Sequence, residues 1–280
     1  MATVLPAISK LTSRVIRVLG CNPGPMTLQG TNSYIVGTGK RRILIDTSEP
    51  QIAEYTDTLK GVLKNENVQL EHIIVTHWHN DHIGAVANVL DKISPECKVW
   101  KYPRDNTEEK FEFSPLENGQ VFQVEGATLS VIHTPGHTTD HVVLSLKEEN
   151  ALFSGDCILG EGTTVFEDLY EYMKSLETIR NLQPSCIYPG HGPLVEEPSS
   201  VIEYYIKHRN DRENEIINFL KSENRTVTEM DVVKVLYKGY PERLQKPALY
   251  AVRKHFEKLE KDGQVIEHND GWSLKEKSKV

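Results

Sequence analysis

The chain has 280 residues, 38% of them hydrophobic and 26% charged, with a formal net charge of −8. That length allows one large or two medium domains whose core stands without disulfides, and the acidic balance excludes a chain-wide basic footprint for nucleic acid. No apolar run reaches the roughly 18 residues of a membrane span, so no membrane partner is expected. The four cysteines, Cys21, Cys97, Cys157 and Cys186, form no CxxC pair, which argues for a reducing compartment and against a thiolate zinc site.

The first acidic residue is Asp46, after Lys10, Arg14 and Arg17. A basic, acid-poor opening without an apolar h-region reads as a mitochondrial address rather than a secretory one. Residues 14–19 also alternate polar and apolar, as a first half-buried strand would. Residues 32–36 and 42–45 read as the next two strands, joined by the turn Gly37-Thr38-Gly39-Lys40, and the second runs into Asp46. Ile52, Tyr55, Leu59 and Leu63 share one helical face and predict a helix over 52–63.

Ile73-Ile74-Val75-Thr76 then reads as a buried strand, and residues 83–90 as a helix. Between them stands His77-Trp78-His79-Asn80-Asp81-His82. Strand-to-helix loops lie at the carboxyl ends of strands, where α/β proteins place their chemistry. Imidazole and carboxylate are ligands that a divalent cation such as zinc takes. His77 and His79, two apart in an extended loop, point to the same side. Asp81 and His82 are adjacent and diverge, which lets them serve a second ion.

Strands follow at 99–100, 121–124 and 128–133, with a charged loop at 104–112 between the first two. Residues 142–146 and 151–153 read as a hairpin, 168–182 as a helix and 185–188 as a strand. Three more candidate ligands lie at strand ends: His137 in Thr134-Pro135-Gly136-His137, Asp156 in Ser154-Gly155-Asp156, and His191 in Pro189-Gly190-His191-Gly192. A glycine beside each lets the backbone turn sharply there. The set is then His77, His79, Asp81, His82, His137, Asp156 and His191. One ion with three protein ligands and a water would use about half of it, whereas the whole set suits two ions with one bridging carboxylate.

Through residue 192 the pattern is strand-rich with a helix after some strands, which two sheets with helices outside would satisfy. After Glu196-Glu197-Pro198-Ser199-Ser200 the composition shifts. A long helix at 201–220, a capped short helix opening at Thr228, a third helix at 248–262, and a hairpin turned by Asp270-Gly271 make a winged-helix module. We therefore divide the chain at 1–200 and 201–280. The first part carries 16 Lys+Arg against 26 Asp+Glu and the second 16 against 14, so the acidic excess lies with the candidate ligands, where bound cations would offset it. Lys246, Arg253, Lys254, Lys258 and Lys261 on the third helix are candidate phosphate contacts.

HxHxDH at 77–82, TPGH at 134–137, SGD at 154–156 and PGHG at 189–192 resemble, in order and at normal spacing, the successive motifs of the metallo-β-lactamase superfamily. The resemblance covers residues 14–195. It implies an α/β fold, the αββα sandwich of that family, with the winged-helix-like α+β domain appended at the C-terminus. It implies two zinc ions: His77, His79 and His137 on the first, Asp81, His82 and His191 on the second, Asp156 between them. Asp81 would also orient the attacking water, and Asp46 would support the site from behind. Both His79 and His82 are present, as in the zinc hydrolases rather than the iron redox relatives. The run at 20–32, the run at 153–168 and the winged helix are similar to an animal branch of the family, mitochondrial endoribonucleases that cut single-stranded RNA. That likeness implies a single-stranded RNA substrate, metal-hydroxide attack on the phosphodiester and a place in the mitochondrial matrix, the cytosol being the alternative. It leaves monomer and homodimer open.

His141, four residues after His137, is either a proton donor to the leaving group or a support for the site. Thr31 and Asn32 read as a turn or as a brace from a neighbouring loop. Two rival function classes stand beside the nuclease: hydrolysis of a small thioester, lactone or lactam at the same site, as in glyoxalase II-type enzymes, and a binding protein whose metal only stabilises the fold.

Overall fold

A computed structural model describes residues 3–105, 111–241 and 244–275. Two sheets stack face to face and helices cover their outer faces. The first sheet opens with an antiparallel stretch of β1 (Ile8–Lys10), β2 (Val15–Leu19), β3 (Asn32–Val36) and β4 (Arg41–Ile45). The helix α1 (Ala53–Glu66) carries the chain over to β5 (Gln69–Val75), which lies parallel to β4. Two short helices, α2 (Asn80–Ile83) and α3 (Val86–Lys92), lead to the parallel strands β6 (Lys98–Lys101) and β7 (Ser114–Pro115).

The second sheet is the meander β8 (Val121–Val124), β9 (Ala127–His133), β10 (Val142–Leu146) and β11 (Ala151–Gly155). The helix α4 (Leu169–Leu182) then returns the chain to β12 (Cys186–Pro189), parallel to β11. Strand order is β1-β2-β3-β4-β5-β6-β7 in one sheet and β12-β11-β10-β9-β8 in the other.

Three apolar layers hold this sandwich. Val15, Val36, Ile43, Ile45 and Ile74 of one sheet meet Phe122, Leu129, Val131, Val142, Leu144 and Phe153 of the other. The outer face of the first sheet packs Ile16, Ile35, Leu44 and Ile73 against Tyr55, Leu59, Val86 and Val89. The outer face of the second packs Val143, Leu152 and Ile187 against Leu169, Tyr172, Leu176 and Ile179. Ile43-Leu44-Ile45 and Ile73-Ile74-Val75 read as unbroken apolar runs because both of their faces are covered.

The long helix α5 (Pro198–Glu223) belongs to two cores. Ile202, Tyr205 and Ile206 pack in the outer layer over the second sheet. Ile216, Phe219 and Leu220 pack with α6 (Glu229–Leu236), α7 (Gln245–Lys261) and the wing, β13 (Val265–His268) and β14 (Gly271–Leu274). The division at residue 200 thus falls just inside α5, while the apolar cores separate between Ile206 and Ile216. Thr228 caps α6 through a reciprocal capping box with Asp231.

The helix expected over 83–90 is instead two pieces broken at Gly84-Ala85. The loop after β4 takes the helical hydrogen bonds there: Thr47 N–H donates to His82 O and Ala85 N–H to Ser48 O. β1 and β7 were not foreseen, being edge strands too short to show a period. Part of the charged loop at 104–112 lies outside the described residues. No helix among those described is long and apolar enough to cross a membrane.

Candidate metal centre

The ends of β5, β9, β11 and β12 bring the seven predicted ligands together. Two sets form, His77, His79, His137 and Asp156 in one, and Asp81, His82 and His191 in the other, with the ligand atoms of each set within 4.8 Å of one another. In the first, His137 Nε2 lies 3.3 Å from His77 Nε2 and 3.1 Å from His79 Nδ1. In the second, His191 Nε2 lies 3.2 Å from His82 Nε2 and 3.1 Å from Asp81 Oδ2. Asp156 reaches both: its carboxylate is 3.7 Å from His137 Nε2, 3.3 Å from His82 Nε2 and 3.4 Å from His191 Nε2.

The far nitrogen of most rings is already engaged, which fixes the tautomer and turns the lone pair inward. His82 Nδ1 meets Asp46 Oδ2 at 2.8 Å. His77 Nδ1 meets Thr76 Oγ1 at 3.0 Å, and that hydroxyl donates to Asp46 Oδ2. His137 Nδ1 donates to the Val165 carbonyl at 2.7 Å, and His191 Nδ1 faces the Gly30 carbonyl at 3.3 Å. Asp46 therefore orients rings of both sets, as expected of a strand-end carboxylate. Its backbone is left-handed, φ 55, which aims the side chain across to β5.

Charge follows the same division. Burial, with the neighbouring His82 and His137 rings, holds His77 well below the ordinary imidazole value. Burial likewise lowers His137, and lowers His79 to about 4. His82 goes the other way: burial opposes its charge, but the Asp81, Asp156 and Asp46 carboxylates prevail and hold it well above the ordinary value. His191 is raised to about 9, its Asp156 and Asp81 contacts outweighing burial. Asp81 and Asp156 stay below the carboxylate range because those imidazoles overcome their burial.

A divalent cation fits this donor set. Facing imidazole nitrogens repel as neutral lone pairs, and they are tolerable together only around a proton or a cation. Asp156 Oδ1 is buried and makes no hydrogen bond, a cost that a metal would remove.

The superfamily profile described as metallo-beta-lactamase matches residues 26–191, and one described as beta-lactamase associated winged helix domain matches 228–272. The chain belongs to the metallo-β-lactamase superfamily. A Drosophila melanogaster protein named beta-lactamase-like protein 2 homolog is 50% identical over 272 residues, covering 94% of this chain and 93% of its own length. An Aspergillus fumigatus atrochrysone carboxyl ACP thioesterase is 41% identical over 230 residues, 80% of this chain and 71% of its own. The solved beta-lactamase domain protein from Burkholderia ambifaria superposes with TM-score 0.83 at 17% identity, over 98% of this chain and 96% of that one, a likeness of fold. Another solved relative, in a di-iron-bound form, is 27% identical with TM-score 0.52, over 65% of this chain and 96% of that one. Members of this superfamily are generally metal-dependent hydrolases.

Around the candidate ligands of this metallo-β-lactamase superfamily member, other residues find their places. His141 is fully buried. Its Nδ1 faces Thr134 Oγ1 at 3.0 Å, and its Nε2 accepts the Asp156 amide N–H at 3.1 Å. Donation of a proton to a leaving group does not fit this geometry, since neither nitrogen presents N–H to the cleft; His141 holds Asp156 from behind. Thr31 and Asn32 are braces: Thr31 Oγ1 lies 3.4 Å from Asp81 Oδ2, and Asn32 Nδ2 donates to the Pro189 and Gly192 carbonyls on either side of His191. Sequence reasoning missed Thr76, Thr164 and Val165, which sit against the far nitrogens of His77 and His137. Thr76 borders the motif and was within reach, but Val165 acts by its carbonyl, which leaves no side-chain signal.

The cleft over the candidate ligands holds about 210 Å³ and is walled by Pro25, Met26 and Leu28, by Leu159 and by residues 161–165. At its rim Trp78 is exposed, with the Arg104 guanidinium 4.8 Å from its ring centroid. A larger depression lined by Arg41, Glu71, His72 and Glu96 lies at the opposite ends of β4 and β5, away from every ligand.

Proposed function

We propose that the chain is a zinc-dependent endoribonuclease that cleaves single-stranded RNA, holding two zinc ions. His77, His79 and His137 would hold one ion, Asp81, His82 and His191 the other, and Asp156 would reach both. Bound divalent cations supply Lewis acidity toward a phosphoryl oxygen and make water nucleophilic near neutral pH. The chain's own residues do the rest. Asp46, Thr76, Val165 and Gly30 aim the imidazoles, His141 fixes Asp156, and Asp81, half in the cleft and braced by Thr31, orients the attacking water.

The observation that carries the hydrolase class is the convergence of two complete His/Asp sets in one cleft. The likeness of residues 20–32 and 153–168 and of the winged helix to the animal endoribonucleases supports RNA as the substrate. A second reading, hydrolysis of a small thioester, draws on a specific observation: Pro25, Met26, Leu28, Leu159 and Val165 give the cleft an apolar part beside Glu161, Thr163 and Thr164, and the fungal thioesterase shares 41% identity.

Labelled single-stranded RNA, a thioester and a β-lactam, each incubated with metal-loaded wild type and with His79→Ala, separate the readings. Internal cuts made only by the intact site are expected. Thioester turnover with untouched RNA would replace the nuclease reading with the small-molecule one. The basic, acid-poor opening supports a mitochondrial matrix location, which import into isolated mitochondria tests. Light scattering of the purified protein decides between monomer and homodimer.

A further inference from the structure

The wall of the cleft formed by residues 164–168 is bound to His137 from several directions. Val165 O takes the His137 ring N–H, Thr164 Oγ1 lies 3.1 Å from the same nitrogen, and Glu167 and Asp168 donate their amides to the Gly136 carbonyl. Part of what holds the wall comes from the long helix that leaves the catalytic sandwich. Arg209, on α5 between the two cores, donates from Nη2 to the Thr164 carbonyl at 2.8 Å, and its guanidinium carbon lies 4.8 Å from the Phe166 ring centroid. Phe166 is in turn stacked on Tyr172 of α4 and met edge-on by His255 of α7.

Arg209 is an expensive residue to place there. It is only 7% exposed, its Nε has no hydrogen-bond partner, and no carboxylate pairs with it among the described residues. A buried cation without an anion costs stability, so its contribution lies in what it holds. The planar fork suits a carbonyl at one edge and an aromatic face at the other at once, which an ammonium does not.

We propose that Arg209 is a positioning residue for the metal centre. Through the Thr164 carbonyl and the Phe166 ring it fixes the 164–166 segment, and that segment sets the orientation of the His137 imidazole. The C-terminal module is thereby coupled to the site, since α5 carries Arg209 and α7 backs Phe166. The proposal rests on the metal-centre reading and is independent of which substrate is hydrolysed.

Cobalt(II) titration of the metal-free protein, followed by the visible ligand-field bands, tests this without any substrate. Arg209→Met is compared with Lys258→Ala, which breaks the 2.8 Å pair with Glu213 between α5 and α7 but leaves residues 164–168 untouched. Arg209→Met is expected to lower cobalt affinity about tenfold to hundredfold, as losses behind a ligand do, and to alter the band intensities. Lys258→Ala should stay within about twofold of wild type. Wild-type affinity and spectrum in Arg209→Met, even with a lowered melting temperature, would make Arg209 a mere strut. An equal loss in Lys258→Ala would assign the effect to loosened packing of the C-terminal helices in general and overturn the proposal as well. Should Arg209→Met not fold, Arg209→Lys decides: a severalfold loss supports the proposal and native binding sinks it. A wild-type chain that takes up no cobalt would overturn the metal reading itself, whereas intact RNA beside normal cobalt binding would touch only the nuclease reading.

Discussion

Asp46 shows how one side chain governs the centre. It accepts from the Thr76 amide at 2.7 Å and from the Thr76 hydroxyl at 2.7 Å, and it meets His82 Nδ1 at 2.8 Å. Asp46→Asn keeps the shape and removes the charge that orients His82. Metal affinity is expected to fall about tenfold to hundredfold with the far-UV circular dichroism unchanged, and isothermal titration measures it. The imidazole charges give a second prediction. Folded-state values of His82 and His191 are raised, His191 to about 9, so without metal this pair holds protons more tightly than the His77, His79 and His137 set. A cation must displace those protons. Affinity of the Asp81, His82 and His191 set should therefore rise with pH from neutrality toward about 9, with proton release visible as buffer-dependent heats. The His77, His79 and His137 set, held low, should release few protons near neutrality. Equal release from both would contradict the assignment of charge.

The ligands are fixed by where strands stop, and the element ends use glycine where no side chain fits. Gly190 follows β12 directly. A Cβ placed there would sit 2.4 Å from Asp156 Oδ1 and 2.9 Å from His82 Cε1. Gly190→Ala is expected to push Asp156 off its position and lower metal content at least tenfold, and, because the Cβ would also sit 2.9 Å from the Gly155 carbonyl oxygen, to lower the melting temperature of the metal-free protein. Gly136 is a different case. Its φ is 135 and a Cβ would lie 2.3 Å from the backbone of Tyr172, so substitution there would strain the packing of α4 itself. Legibility in the sequence also divided at this scale. Strands and helices with strong periods were readable from residues alone, as were the turn glycines. The break at Gly84-Ala85 was not, because its cause is hydrogen bonding by the distant Thr47 and Ser48 backbone.

Buried polar groups as well as apolar ones hold α5 to α7. Glu213 of α5 pairs with Lys258 of α7 at 2.8 Å, and the buried His255 ring lies 3.8 Å away. Burial pushes the Glu213 carboxyl up, but its His255 and Lys258 contacts prevail and hold it below the ordinary glutamate value. A depressed carboxylate stabilises the fold above its ordinary value, and that contribution is lost as pH falls through the depressed one. Glu213→Gln should cost about 2 kcal/mol at neutral pH, read by denaturant unfolding, and the gap to wild type should close on acidification. The same junction changes the reading of α7. Of the five basic residues marked there for phosphate contact, Arg253 is spent on Glu229, Glu257 and Glu267, Lys258 on Glu213 and Asp262, and Lys261 on Asp168. Lys254 pairs with Glu257, and Lys246 stays exposed. The face of α7 carrying His255 and Lys261 is turned onto Phe166, Asp168 and Tyr170, so a docking of this helix into a nucleic-acid groove in the usual manner would require that junction to open.

By itself the sequence picked out the candidate ligand set, because metal binding demands particular atoms and His, Asp, Glu and Cys provide them. Seven such residues at strand ends, each beside a glycine or within one motif, are local facts that survive without coordinates. It determined the layered α/β class and the appended winged helix for the same reason: apolar period and turn chemistry are local. Only the tertiary structure decided which nitrogen of each ring faces inward, that His141 supports Asp156 instead of donating a proton, that α5 is shared by both cores, and that Arg209 reaches the wall of the cleft. Those outcomes depend on pairs of groups far apart in the chain, often on a backbone carbonyl, and a carbonyl is the same in every residue.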